Sequence, residues 1–230
     1  MSEKQKFELL GDISSKEFNK PPILPKNFEF LANNKCEIAD NVFNAILPSY
    51  YRAVAAIHWT PVQIAKQIAE LLIDCDPKSK FLDIGSGCGK LCVVLSYLSN
   101  IKFHGIEQRK DLFDIANRIS LENQRQNVSF QLGNFLELDD WDEYDIIYLF
   151  NPFQEHITDI DGMRIDANIN FSRRYFTQYI NAVFWQLCSA KAGLKLITYH
   201  GYGGRIPHSW KLAKSQIRDG SDLSLWEKVT

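Results

Sequence analysis

The chain has 230 residues, of which 45% are hydrophobic, and it carries 26 Lys and Arg against 28 Asp and Glu. This length and apolar content suffice for one α/β domain with a full core, and they exclude two ordinary domains with linkers. The net charge of −2 argues against a general polyanion binder, because nucleic-acid affinity comes largely from Lys and Arg on phosphates. Residues 151–230 nevertheless carry 10 Lys and Arg against 7 Asp and Glu. We interpret this excess as solvated surface charge, with a weakly basic substrate side as the alternative.

Cysteine usage and the first residues indicate the compartment. The five cysteines are odd in number, and no Cys-x-x-Cys pair or neighbouring His offers metal-ligand spacing. Reduced thiols, no metal site and a cytoplasmic location are therefore expected. The first six residues lead into no apolar signal segment, and no run approaches the ~18 apolar residues of a membrane span. We expect a soluble protein that is not exported.

The N-terminal quarter divides into two parts. Residues 1–35 mix charges with prolines and show no sustained period, which predicts an extended arm. Apolar residues then recur at helical spacing from Glu37, which predicts a helical cap on the core domain. Thr60 and Pro61 have the residue types of an N-cap and a first helical position, so a helix should run from there to Leu72. We place an N-terminal extension at 1–59 and the main domain at 60–230.

The most informative stretch is a glycine-rich turn. Residues 80–84 form a short apolar run typical of a buried parallel strand, and a helical pattern begins near Lys90. Between them, Gly85, Gly87 and Gly89 remove every second Cβ, so a ligand can lie against the backbone at a helix N-terminus.

The spacing excludes two common nucleotide loops. A P-loop would place a hydroxyl residue after Lys90, where Leu91 stands. A dinucleotide loop would place its third glycine one residue later than Gly89. A turn that merely packs a strand on a helix remains as an alternative.

The pattern Asp83-x-Gly85-x-Gly87-x-Gly89 resembles motif I of the class I S-adenosylmethionine (SAM)-dependent methyltransferases. This resemblance implies an α/β, Rossmann-like, mostly parallel seven-stranded sheet with helices on both faces. It also implies that Asp83, Gly85, Ser86, Gly87 and Gly89 hold the methionine part and ribose of SAM. The Thr60-Pro61 pair is similar to the segment that folds over SAM in many members, although a plain capped helix explains it equally well.

Two further cofactor contacts are expected downstream. Residues 101–107 read as a second strand that ends in Glu107, and the family places an acid there to accept from both ribose hydroxyls. Asp111 is expected to cap the next helix. A third strand at 128–132 leads to Gly133, Asn134 and Phe135. The resemblance implies that Asn134 accepts from the adenine amino group and that Phe135 also binds the cofactor. The family often has Asp where this chain has Asn134.

The second informative motif is Asn151-Pro152-Phe153, which follows the apolar run 146–150. Ligands of open α/β sheets bind at such carboxyl ends. The motif resembles motif IV of the amino methyltransferases with one proline missing. In those enzymes the Asn oxygen and a proline carbonyl accept from the target amine, and the aromatic ring stacks on a base. The alternative is an Asn-Pro turn with Phe153 buried.

The remaining chain completes a sheet. Residues 154–170 are predicted to form a loop or short helix beside the substrate, and a helix with a wide apolar face should run from Ser172 to about Ala192. A fifth strand at 194–199, a glycine-rich loop at 200–204 and a hairpin around Asp219-Gly220 follow.

These observations predict an enzyme that transfers a methyl group from SAM to a nucleophile, most simply a nitrogen. The acceptor is open among a protein amine, a nucleic-acid base and a small molecule, and no oligomeric state is predicted. The alternatives are a nicotinamide-dependent oxidoreductase and a catalytically silent SAM-binding interaction module. Titration with SAM and with NAD separates the first alternative, and labelled methyl transfer separates the second.

Overall fold

A seven-stranded sheet organises the molecule in the computed structural model, which describes residues 36–138, 141–159, 164–166, 169–218 and 220–229. The predicted arm at 1–35 lies outside the described residues. The strands are β1 (Lys80–Ile84), β2 (Lys102–Glu107), β3 (Val128–Leu132), β4 (Ile146–Leu149), β5 (Lys195–Tyr199), β6 (Trp210–Arg218) and β7 (Ser221–Lys228).

The strand order is β3-β2-β1-β4-β5-β7-β6, and β7 is antiparallel to both of its neighbours while the other pairs are parallel. The chain winds outward from β1 in one direction and then from β4 in the other. Such a reversal opens a crevice beyond the carboxyl ends of β1 and β4, where ligands of α/β sheets bind. The predicted fold class and the final hairpin are confirmed.

Helices cover both faces of the sheet. They are α1 (Cys36–Ala45), α2 (Ser49–Ala53), α3 (Ala55–His58), α4 (Val62–Leu71), α5 (Lys90–Ser96), α6 (Lys110–Glu122) and α7 (Arg173–Ser189). Buried side chains of α1 to α6 belong to one core, and those of α7 belong to the core on the opposite face. The described part of the predicted extension therefore packs into the same core as the glycine-loop helix. None of these helices, which cover only described residues, has the length and apolarity needed to cross a bilayer.

Two predicted helix starts are wrong. Thr60 does not cap α4, because Pro61 holds the N-cap position and the Thr60 hydroxyl lies 2.9 Å from the Tyr148 hydroxyl. The Val62 N–H instead donates a hydrogen bond to the Asp40 carboxylate of α1 at 3.1 Å. Asp111 does not cap α6 either, since it lies in the first turn, where it accepts a hydrogen bond from the Tyr51 hydroxyl.

Most of the predicted apolar face of α7 packs on the core, and the helix is shorter than predicted. Tyr179, Val183 and Leu187 are its buried residues, whereas Tyr175 is 37% exposed. The helix ends at Ser189 because a turn through Gly193, whose φ is +85°, leads into β5.

Candidate active site

A pocket opens at the carboxyl edge of the sheet, between the loops that follow β1, β2, β3 and β4. It brings together most of the sequence-predicted site residues: Gly85, Gly87, Glu107, Asn134, Phe135, Asn151, Pro152 and Phe153. Five other predicted residues do not line it: Thr60, Pro61, Asp83, Ser86 and Gly89.

The glycine loop forms one wall of the pocket through backbone positions that favour glycine. Gly85 and Gly87 have φ values of +78° and +56°, in the left-handed region. A Cβ on Gly87 would lie 2.6 Å from the Trp59 ring, so the indole packs directly against the loop. The loop is held to β2 because the Gly85 and Ser86 N–H groups both donate to the Ile106 carbonyl at 3.0 Å.

Glu107 is a buried carboxylate at the end of β2 and only 3% exposed. Its two oxygens accept from the Gly87 N–H at 2.9 Å and the Arg109 N–H at 2.8 Å. Burial raises the pKa of Glu107, while the Arg109 guanidinium 3.7 Å away and the two N–H donors lower it. Each carboxylate oxygen can accept more than one hydrogen bond, so both retain capacity for a ligand hydroxyl.

The motif I residues outside the lining shape the loop from behind. Asp83 is buried and accepts from the Cys92 thiol at 3.7 Å, and burial raises its pKa to about 7. A Cβ on Gly89 would lie 2.5 Å from Phe130, which means that this glycine permits close packing. The Ser86 hydroxyl is buried without a hydrogen-bond partner among the described residues. These residues therefore support the pocket rather than face it.

Asn134 lines the pocket, but its side chain is already engaged. Its Oδ1 accepts from the Leu136 N–H at 3.0 Å as part of a capping box with Glu137. Its Nδ2 donates to the Tyr179 hydroxyl at 2.8 Å. Phe135 offers an apolar ring beside it. An adenine that bonded to the Asn134 side chain would therefore have to share or replace these two hydrogen bonds.

Asn151 lies at the carboxyl end of β4 with an unusual backbone. Its φ is +38°, and its N–H donates to the Gly201 carbonyl at 2.9 Å, which ties the β4 end to the loop after β5. The Gln154 N–H donates back to the Asn151 carbonyl at 3.3 Å, so the residue also begins a turn. Its side-chain amide forms no hydrogen bond with any described residue, and Asn151 lines the pocket.

Phe153 is buried in an aromatic cluster, where its ring stacks on Tyr179 with centroids 5.1 Å apart. Phe135 lies on another side at 5.3 Å. These contacts match the alternative that a buried Phe153 completes an Asn-Pro turn. They leave little of the ring for a substrate base.

Sequence reasoning missed an ion pair at the pocket mouth. Arg109 Nη2 donates to Glu155 Oε1 at 2.6 Å, and the other Glu155 oxygen accepts from the Ile165 N–H at 3.3 Å. The Tyr50 hydroxyl donates to the Ile165 carbonyl at 2.9 Å. These contacts fix the segment after β4 over the pocket. Arg109 and Glu155 are 46 positions apart, so no local pattern could have revealed the pair.

His156 and Trp59 were also missed as lining residues. Burial lowers the pKa of His156, and its Nδ1 accepts from the Ser172 N–H at 3.3 Å, which places the proton of the neutral ring on Nε2. Trp59 directly precedes the Thr60-Pro61 pair, so the sequence signal pointed one residue away from the side chain that contacts the glycine loop.

Comparison with known proteins supports the expected fold. Residues 75–174 match a family model described as a methyltransferase domain. No curated protein matches the chain.

Many solved structures are similar. An RNA methyltransferase from Salinibacter ruber in complex with S-adenosyl-L-homocysteine has 17% identity and a TM-score of 0.51 over 74% of this chain and 93% of that one. The putative methyltransferase yhhF from Escherichia coli has 11% identity and a TM-score of 0.55, covering 73% and 87%. TrmN from Thermus thermophilus has 16% identity and a TM-score of 0.56, covering 76% and 51%.

Identities this low establish the fold alone. The residues that the family model matches include the glycine loop and the end of β4. Residues 75–174 therefore match a methyltransferase domain, and the reversed hairpin at the sheet edge completes the seven-stranded fold that the sequence predicted.

Proposed function

We propose that the protein methylates a nitrogen of a nucleic-acid base or a protein amine, and that Asn151 orients that nitrogen. The observation that carries this proposal is the Asn151 side-chain amide, which forms no hydrogen bond with a described residue and lines the same pocket as Gly85, Gly87 and Glu107. Ligand-binding residues are often held in sparsely populated backbone conformations, and the φ of +38° at Asn151 supports the proposal.

The residues present fit SAM. The remaining acceptor capacity of Glu107 suits the ribose hydroxyls, and the glycine loop offers exposed backbone for the methionine part. Phe135 and Ile106 supply apolar surface for a purine. When bound, SAM supplies a methyl carbon on a sulfonium, which is already a good leaving group. The protein therefore needs to contribute position and exclusion of water rather than a strong base.

Asn151 acts through its Oδ1 in this proposal. The amide oxygen accepts a hydrogen bond from the target amine and so directs the nitrogen lone pair toward the methyl carbon. The nitrogen–carbon bond forms as the carbon–sulfur bond breaks, and the nitrogen then releases a proton to water. Positioning of this kind affects the transition state more than the bound cofactor.

RNA is the first acceptor to test. The Salinibacter ruber structure is of an RNA methyltransferase, and the fold is the same, which supports an RNA base over a small molecule as the starting point. A screen with labelled SAM over total RNA, DNA and protein tests the acceptor. A thermal-shift titration in which SAM raises the melting temperature and NAD does not tests the cofactor.

Replacing Asn151 with Ala tests the residue. We expect the single-turnover rate to fall on the order of 10²-fold, with SAM affinity changed less than about threefold. Asn151→Asp should retain more activity than Ala, because it keeps an acceptor oxygen. A matched control is Asn100→Ala, which removes an exposed amide at the amino-end edge of the sheet.

The turn interpretation of Asn151 predicts the opposite pattern. Asn151→Ala would then lower the melting temperature and leave turnover of the folded fraction intact. A stable, SAM-binding Asn151→Ala protein with normal turnover contradicts the proposed role.

A further inference from the structure

The segment 167–218 contains no Asp or Glu, yet it carries eight Lys and Arg. The 28 acids of the chain would place about six in a stretch of this length if they were spread evenly. This segment supplies α7, β5 and β6 together with the loop between the two strands. The small negative charge of the whole chain therefore conceals a local surplus of cations.

Two parts of the acid-free segment adjoin each other, because the loop after β5 packs on α7. A Cβ on Gly203 would lie 2.8 Å from the Phe176 ring, so loop and helix are in close contact. The Arg205 guanidinium lies 4.5 Å above the Phe184 ring. Lys191 and Lys195 are directed elsewhere, toward Asp145 and Cys75.

The outer face of α7 presents a stripe of four exposed residues: Arg174, Gln178, Asn181 and Trp185. Their spacings of four, three and four residues place them on one side of the helix over about 16 Å. Trp185 is 68% exposed, which is unusual for so large an apolar side chain. We call these four residues with Arg173 and Arg205 the α7 stripe.

The two arginines at the start of α7 stand where helix electrostatics disfavour them. Ser172 is the N-cap, so Arg173 and Arg174 occupy the first turn, which has no acidic residue. Cations near a helix N-terminus are destabilising, because the macrodipole is positive there. Neither arginine forms an ion pair with another described residue. Helix stability therefore does not account for their presence, whereas an anion bound at the start of the helix would interact favourably with both.

The stripe leads to the proposed active site. The Ser172 N–H at its N-terminal end donates to His156, and Tyr179 on the inner side of the same helix lines the pocket beside Asn151. A chain lying along α7 from Trp185 to Arg174 would reach the pocket mouth.

We propose that the α7 stripe binds single-stranded nucleic acid and guides it to the pocket, an inference that rests on the proposed function by naming its acceptor class. Arginine pairs with phosphates, an exposed aromatic ring stacks on bases, and this combination is typical of sequence-tolerant single-strand binding. Charge is screened within about 8 Å at physiological salt, so the local cations count more than the net charge.

The test measures binding of fluorescent U12 RNA and T12 DNA by anisotropy, without SAM, between 25 and 200 mM salt. We expect binding that weakens with salt. The variant Arg173→Glu/Arg174→Glu should weaken it on the order of tenfold or more, and Trp185→Ala on the order of tenfold. Preference for U12 over T12 identifies RNA, and the reverse identifies DNA.

The matched control is Lys78→Glu/Lys102→Glu, which changes the net charge equally but at exposed positions at the amino-end edge of the sheet. It should change binding less than about twofold. The melting temperature of Arg173→Glu/Arg174→Glu should be unchanged or higher, because glutamates suit the first turn of a helix. Weakened binding in that variant then reflects a lost contact and not unfolding.

The inference is overturned if both double variants lose the same oligonucleotide affinity. It is also overturned if the protein binds a 12-base-pair duplex as tightly as the single strands. Absence of binding at 25 mM salt overturns it too, and leaves the proposed function standing if another nitrogen acceptor is methylated. Binding through the stripe without methylation of any nucleic acid supports the surface and contradicts a nucleic-acid acceptor. Glu107→Ala should keep the oligonucleotide affinity while it loses SAM.

Discussion

The glycine loop after β1 and the turn after β4 line the same pocket but are built on different principles. In the loop, glycines occupy the positive-φ positions and neighbouring rings fill the space where a Cβ would be, as Phe130 does at Gly89. In the turn region, Asn151 and His200 hold φ values of +38° and +57° with side chains present. The Asn151 N–H donates to Gly201, so the two strained positions belong to one linked edge.

This difference indicates separate roles for the two halves of the pocket. We call the glycine-loop side the cofactor half and the side at the end of β4 the acceptor half, after their proposed ligands. In the half proposed to hold the cofactor, the backbone conformations are favourable for glycine, and the N–H groups of Gly85, Ser86 and Gly87 are paired within the protein. The half proposed to hold the acceptor has positive φ at Asn151 and a side-chain amide without a hydrogen bond to any described residue, and such features are typical of functional sites. Substitutions in the first half should therefore affect stability and cofactor binding, and those in the second should affect turnover.

The largest effect is expected from Gly89→Ala. An added Cβ would meet Phe130 at 2.5 Å and Ala116 at 2.8 Å, at a φ of +74°. Overpacking and left-handed strain together should lower the free energy of unfolding by roughly 3 to 5 kcal/mol. Urea denaturation measures this loss. The control is Gly193→Ala, which has similar φ but open space around the Cβ, and an equal loss there would show that packing contributes nothing at Gly89.

Asp83 should make stability depend on pH. Its pKa is raised from 3.8 to about 7 by burial, so the stability it contributes is complete below pH 4 and is lost as pH rises through 7. Asp83→Asn cannot ionise, and its advantage over the wild type should grow from pH 5 to pH 8 by at most about 3 kcal/mol. Denaturation series at both pH values measure it. A difference that stays constant with pH would show that Asp83 does not titrate in this range.

Glu107→Ala tests the cofactor half directly. We expect SAM binding to weaken by roughly 2 to 4 kcal/mol, because two charge-assisted hydrogen bonds to the ribose would be lost. Isothermal titration of the folded variant measures it. Glu107 also accepts from the Gly87 N–H, so Glu107→Gln serves as the comparison that preserves the side-chain shape. Unchanged affinity in folded Glu107→Ala would remove the residue from the cofactor site.

The smallest stability effect is expected from His200→Gly on the acceptor half. Glycine relieves the left-handed strain but adds unfolded-state entropy, so the free energy of unfolding should change by less than about 1 kcal/mol. Turnover should fall, because the His200 ring lies 6.0 Å from the Phe150 ring of the pocket wall. Gln124→Gly removes the same strain at a φ of +54° after α6 and should leave turnover unchanged. Melting curves and turnover rates of both variants test this prediction. Equal turnover rates in the two variants would show that His200 does not contribute to the acceptor site.

Local sequence signals were sufficient where neighbours in the chain are neighbours in space. The alternating glycines predicted a strand, a turn and a helix start, and Glu107 was expected at the end of the next strand because one βαβ crossover has a narrow range of lengths. Turn and strand positions in such a unit depend on short-range backbone preferences. The strand bounds at 128–132 and the final hairpin were predicted for the same reason.

The tertiary structure decided which of those residues face the ligand and which support it. Asp83, Gly89 and Thr60 belong to recognisable motifs, yet they contact Cys92, Phe130 and Tyr148, because strand register and helix packing turned them away from the pocket. The Arg109–Glu155 pair and the placement of Trp59 on Gly87 depend on segments far apart in the chain. The sequence by itself thus determined the sheet, the glycine loop and the position of the pocket at the carboxyl edge. The composition of its walls was decided by long-range packing, which no local pattern records.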